Sequence, residues 1–151
     1  MLASCKKSST GDVTTINTIS AKLNGTLVTY TYEPNAESYL NNTNPLAYYF
    51  QGYTRDSSNT DNELYLSLDS YYKAFSARTY GNPGDSTSDA YFEVDSTSIW
   101  YGTASVTHPF IINITSFGST VQGTFSGKVY PYQDTTQTPI TITDGKFNLG
   151  L

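Results

Sequence analysis

A chain of 151 residues is long enough for one domain with a real core, and its 15% aromatic content, which includes 14 tyrosines, separates it from disordered chains. Charged residues are only 14% of the chain, against about 25% in an ordinary domain, and the formal net charge is −5. Beyond Lys6 and Lys7 the basic residues (Lys22, Arg55, Lys73, Arg78, Lys128, Lys146) are scattered, which excludes the basic footprint that nucleic-acid binding needs; no apolar run approaches the ~20 residues of a membrane helix, and the single cysteine excludes an internal disulfide or a thiolate metal cluster.

That cysteine, Cys5, follows Leu2-Ala3-Ser4 and precedes Lys6-Lys7. The stretch Leu2 to Cys5 resembles the bacterial lipobox: an aliphatic residue, two small residues that fit a signal peptidase, then the cysteine that receives lipid. The resemblance implies cleavage before Cys5 and attachment to a bacterial cell envelope, at the outer membrane, by acyl chains on Cys5. Each buried methylene contributes roughly 0.8 kcal/mol to such an anchor. Only Met1 and Leu2 precede the box, too little for the apolar core of a signal peptide. The expectation is therefore a trimmed signal here and lipidation of Cys5 in the native protein. Residues 1–12 read as residual signal, lipobox and flexible tether, with Lys6 and Lys7 suited to anionic headgroups; residues 13–151 read as a single all-β domain.

From Ile19 the pattern has period two, the signature of strands. Ile19, Ala21 and Leu23 alternate with polar residues, and Asn24-Gly25 is the strongest short hairpin signal, because both residues tolerate positive φ. The return strand is Thr26 to Tyr32. Glu33 to Pro45 reads as a loop from its Pro and Asn content. Leu46 to Tyr53 is a strand with aromatic residues on both faces, and Arg55 to Asn62 a polar loop. Glu63 to Asp69 places Leu64, Leu66 and Leu68 inward and Glu63, Tyr65 and Ser67 outward. Ser70 to Asp89 reads as irregular. Ala90 to Asp95 points Phe92 and Val94 inward and Tyr91, Glu93 and Asp95 outward. Ile99 to Val106 follows, then a strand with Phe110, Ile112 and Ile114 on one face, a turn at Phe117-Gly118-Ser119, and Thr120 to Tyr130 with Val121, Gly123, Phe125, Gly127 and Val129 on one face. Ile140 to Leu149 closes the chain, interrupted by a turn or bulge at Asp144-Gly145.

Eight or nine short strands with turn residues between them predict an all-β antiparallel sandwich; Gly123 and Gly127 within one strand keep an up-and-down or lipocalin-like barrel as the alternative. Cys5-Lys6-Lys7, Leu23-Asn24-Gly25, the run Val121 to Gly127 (VQGTFSG) and the run Ile142 to Phe147 (ITDGKF) together resemble small lipoproteins of Bacteroidetes. The likeness covers both ends of the chain. It implies a sandwich-like domain on the envelope and brings no activity with it.

Catalytic chemistry is poorly provided for. His108 is the sole histidine, precedes Pro109 and reads as a surface residue, so neither a triad nor a zinc site is expected. No cofactor and no metal are expected; the loop Asp56 to Glu63 lacks the central glycine of an EF-hand. Glu63, Asp69, Glu93 and Asp95 are the carboxylates available to a glycoside hydrolase, the least favoured reading. The tyrosines offer more. Tyr49, Tyr53, Tyr65 and Tyr91 fall opposite the apolar faces of their strands, and a flat ring with a polar tip suits the C–H face and hydroxyls of a sugar. Tyr49, Tyr53, Tyr65, Tyr91, Glu93 and Asp95 are the candidate ligand-binding residues, with Tyr71 and Tyr72 as alternative contacts. The expected role is a non-catalytic binding or structural module at the envelope, its partners the membrane, a glycan or an envelope protein, with pairing through an exposed edge strand as the route to a protein partner.

Overall fold

Period-two patterning becomes strand throughout the computed structural model, which describes residues 17–41, 44–54, 63–69, 75–81, 90–95, 99, 101–102 and 110–151. Among the described residues eleven strands run β1 (Thr18–Leu23), β2 (Thr26–Tyr30), β3 (Tyr32–Asn41), β4 (Asn44–Tyr53), β5 (Glu63–Asp69), β6 (Thr79–Tyr80), β7 (Ala90–Asp95), β8 (Tyr101–Gly102), β9 (Ile111–Phe117), β10 (Thr120–Pro131) and β11 (Ile140–Gly150). They form two antiparallel sheets. One has the order β2-β1-β11-β10-β9-β6, with β8 on the far end of β10; the other has the order β3-β4-β5-β7. The fold is a sandwich and not a closed barrel.

The Asn24-Gly25 hairpin forms as the sequence predicts, with φ of 48° and 86°, and the Asn24 side chain ties it inward: the Thr141 N–H donates to Asn24 Oδ1 at 2.9 Å. The return strand is shorter than expected. It ends at Tyr30, and the chain passes through Thr31 into the other sheet as β3. The stretch read as a loop from Glu33 to Pro45 is thus mostly strand. Pro34 is tolerated because β3 is the end strand of its sheet among the described residues and its register with β4 slips between Tyr32 and Asn35; a missing N–H costs little at an edge or bulge. The stretch read as irregular contains β6, a two-residue strand on the edge of β9. Of the strand expected over Ile99 to Val106, Ile99, Tyr101 and Gly102 fall within the described residues, and Tyr101 and Gly102 form β8.

Cores form where the alternation said they should. Ile19, Ala21, Ile112, Val121, Val129, Ile142 and Leu149 are buried on the seven-stranded sheet, and Phe50, Leu64, Leu66 and Leu68 on the four-stranded one. The sheets meet through aromatic rings: Phe50 stacks on Phe147 at 4.9 Å, and Tyr48 packs edge-on against Phe75 at 4.5 Å and Phe117 at 5.3 Å.

The two Gly-x-Phe runs, Gly123 to Phe125 and Gly145 to Phe147, have a shared cause. The strands β10 and β11 are antiparallel, and their register sets Gly123 opposite Phe147 and Phe125 opposite Gly145. Each ring lies over the glycine of the other strand. A Cβ on Gly123 would come within 2.5 Å of Phe147 Cζ and of the Asn113 carbonyl oxygen; one on Gly145 would come within 2.5 Å of Phe125 Cδ2. Gly123 and Gly145 are therefore close-packing sites; of the two glycines that kept the barrel open, Gly123 packs under a ring and Gly127 lies at the register slip against β11. The expected interruption at Asp144-Gly145 is a bulge, where the ladder passes from Phe125↔Gly145 to Gly127↔Ile142. Asp144 takes a φ of 53° there, a conformation Asp tolerates better than most residues, and its carboxylate meets Lys22 Nζ at 2.7 Å.

Two outcomes follow for stability. Gly123→Ala and Gly145→Ala each destabilise the fold by about 1–3 kcal/mol in urea unfolding, the cost of overpacking, whereas Gly118→Ala, with no atom within 4 Å of its Cβ position, stays near wild type. The Tyr30 ring is 1% exposed, and burial pushes its hydroxyl pKa up. The folded state thus holds a proton that the unfolded chain releases near pH 10. Stability is unaffected below that pH and falls above it, by at most about 1.4 kcal/mol per pH unit from this group. Tyr30→Phe flattens that alkaline decline in pH-dependent unfolding curves.

Candidate functional site

The four-stranded sheet turns Phe50, Leu64, Leu66 and Leu68 to the core, so the alternate positions of its strands make its outward face. Register aligns these positions in rows. Tyr32, Tyr53, Glu63 and Asp95 form one; Asn35, Gln51, Tyr65 and Glu93 the next; Glu37, Tyr49, Ser67 and Tyr91 the third. All six candidate positions (Tyr49, Tyr53, Tyr65, Tyr91, Glu93 and Asp95) fall within these rows. With strands ~4.8 Å apart and two residues between rows, the patch measures roughly 14 Å on a side.

Within the patch, Tyr49 and Tyr65 are diagonal neighbours on adjacent strands. Their rings stack at 5.3 Å with 26° between planes, the offset contact that cross-strand aromatic pairs favour. Tyr49, Gln51, Tyr53 and Tyr65 are half-buried. Ser67, read as outward from its place in the alternation, does lie on this side, yet it is only 4% exposed; it occupies the row between Tyr49 and Tyr91 and forms part of the floor. The sequence reading missed Tyr32, Asn35, Glu37 and Gln51 as members of the face. Asn35 and Glu37 escape notice because the sequence of β3 reads as a loop, Tyr32 because it reads as the end of the return strand beside Val28 and Tyr30, and Gln51 because an isolated polar residue between tyrosines carries no local signal.

Charge divides between the sheets. The strands β3, β4, β5 and β7 carry Glu33, Glu37, Glu63, Asp69, Glu93 and Asp95 and no Lys, Arg or His. The seven-stranded sheet carries Lys22, Lys128 and Lys146, with Asp144 its acidic residue. A tyrosine offers a flat apolar ring with a hydrogen-bonding hydroxyl tip.

The opposite side of the sandwich has a feature that the sequence reading did not find. A shallow depression of about 290 Å³ opens on the outward face of the seven-stranded sheet, lined by residues of β1, β9, β10 and β11, among them Ser20, Gln122, Thr124 and Lys146. Its lining alternates with core positions in every strand, so each polar residue looked like ordinary solvated surface; only the strand order brings them together.

Cys5, the tether, the loop Asp56 to Asn62, Tyr71, Tyr72 and His108 lie outside the described residues. Among the described residues, no group of three or more His, Cys, Asp or Glu side chains is placed to hold a metal ion, and no helix is long and apolar enough to cross a membrane. Comparison with protein-family models, with curated proteins and with solved structures found no match in any of the three.

Proposed function

We propose that this chain is a non-catalytic binding module of a bacterial cell envelope, held at the outer membrane by lipid on Cys5, and that it binds neutral glycans on the outward face of its four-stranded sheet. The observation that carries the binding face is the register, which gathers Tyr49, Tyr53, Tyr65 and Tyr91 with Glu93 and Asp95 on one side of one sheet. The stacked Tyr49–Tyr65 pair supports it, because a paired ring presents a broader and stiffer surface than a lone one. The absence of basic residues from these four strands favours neutral over acidic sugars. The anchor rests on the lipobox resemblance of Leu2 to Cys5, and the envelope setting on that and on the likeness of the terminal motifs to Bacteroidetes lipoproteins.

A second reading, an accessory subunit of a surface complex, draws on β2. It is the end strand of its sheet among the described residues, and Leu27 on it is 65% exposed; an edge of this kind accepts a strand from a partner. A third, a carboxylate-based glycoside hydrolase, draws on Glu63 standing directly opposite Asp95 in the ladder.

A glycan array followed by calorimetry with neutral cello-, xylo- and manno-oligosaccharides tests the first reading. Tyr65→Ala and Tyr91→Ala each weaken binding about tenfold or more, equivalent to ~1.4 kcal/mol, while Tyr132→Ala, at an exposed tyrosine in the turn after β10, leaves it unchanged. The oligosaccharide is recovered intact. Unchanged binding in both site variants removes the tyrosine face, and release of reducing ends that Glu63→Gln abolishes replaces binding by hydrolysis.

A further inference from the structure

The depression on the seven-stranded sheet lies across the sandwich from the tyrosine face and has the opposite chemistry. Four adjacent strands build it. Thr18 and Ser20 of β1 stand opposite Asn148 and Lys146 of β11, which in turn stand opposite Gln122 and Thr124 of β10. On β9 the register slips, so that Gln122 pairs with Ser116 and Gly123 with Ile114. The residue left over is Thr115, whose hydroxyl donates to the Gln122 carbonyl oxygen at 3.2 Å. A bulge re-aims a side chain and bends its strand, and a second one, in β11 at Asp144-Gly145, shifts its register against both β1 and β10. These irregularities border the depression.

Asn148 is 8% exposed although it lies on an outward position, so a carboxamide forms part of the floor. The walls are hydroxyls (Ser20, Thr115, Thr124), a second carboxamide, Gln122, and apolar surface from Phe147, and Lys146 supplies a cation; among the described residues no carboxylate belongs to the lining. The nearby Asp144 carboxylate is engaged at 2.7 Å by Lys22, on the neighbouring strand, and feels the Lys146 charge more weakly. At about 290 Å³ the depression is at the small end of ligand clefts.

We infer that this depression is a second binding site, for a small polyhydroxylated carboxylate of the uronic-acid class. The hydroxyls and carboxamides both donate and accept, as sugar hydroxyls require, and the Lys146 ammonium meets the ligand carboxylate in a charge-assisted hydrogen bond. Charge complementarity selects this occupant over a neutral sugar: the sheet is lysine-rich and the opposite sheet purely acidic among its charged residues. The site stands independently of the tyrosine face.

Calorimetry of the full chain with sodium D-glucuronate, with D-glucose as the neutral control, tests it. Glucuronate binds saturably and glucose at least tenfold more weakly. Lys146→Gln, at an exposed position, weakens glucuronate at least tenfold. Lys128→Gln, on the same sheet but outside the depression, and Tyr65→Ala, on the other face, change it less than twofold. Absence of saturable binding, an undiminished affinity in Lys146→Gln, or an equal loss in Lys128→Gln overturns the site; a loss in Tyr65→Ala with none in Lys146→Gln moves the ligand to the tyrosine face.

Discussion

The structure depends on how closely β10 and β11 approach. Two phenylalanines, each lying over a glycine of the facing strand, fix that approach at Gly123↔Phe147 and Phe125↔Gly145. The arrangement works because glycine lets a ring lie flat where any Cβ would intrude, and the ring in turn covers backbone that glycine leaves bare. Its reach extends beyond the pair. Phe147 continues into Phe50 of the other sheet at 4.9 Å, and Phe125 into Phe110 at 6.2 Å. One strand pair thereby sets the register of the larger sheet and the docking of the smaller one on it.

Once the sheets are clamped in this way, their outward faces are fixed as well, because side chains alternate along a strand and a one-residue slip would exchange the two faces. The inner leucines of β5 cannot be buried without Tyr65 and Ser67 facing out, and the same register carries Tyr49 and the position of Tyr91 to their side. The outcome is a sandwich with two unlike surfaces. One sheet carries tyrosine and acidic positions on its outward side; the other presents hydroxyls, carboxamides and a lysine around a depression. Acidic and basic residues that look scattered along the chain sort by sheet.

Much of the fold was legible in the sequence. The alternation of Leu64, Leu66 and Leu68, the Asn24-Gly25 turn and the inward run from Val121 to Val129 each name their own burial, because one period-two pattern suffices to define a face. The sandwich followed from strand number and spacing. What local pattern could not give was strand order. Pro34 and the surrounding Asn and Glu residues looked like a loop because nothing local marks the strand as an edge, where proline is tolerated. The break at Thr31 was hidden because Thr26 to Tyr32 alternates without interruption while the chain changes sheets. The tyrosine positions were legible one by one from their place opposite apolar residues, whereas their assembly into rows required the register. The depression was not legible at all, since Ser20, Thr115, Gln122, Thr124, Lys146 and Asn148 come from four separate strands.

The most direct test of the central claim, that the outward face of the four-stranded sheet is the binding face, is amide NMR of the full chain titrated with neutral cello-, xylo- and manno-oligosaccharides. The account predicts shifts that cluster on β4, β5 and β7 around Tyr49, Gln51, Tyr65, Ser67 and Glu93, with the β10–β11 seam undisturbed. Shifts confined to the loops or to the seven-stranded sheet, or none with any of these sugars, would contradict it.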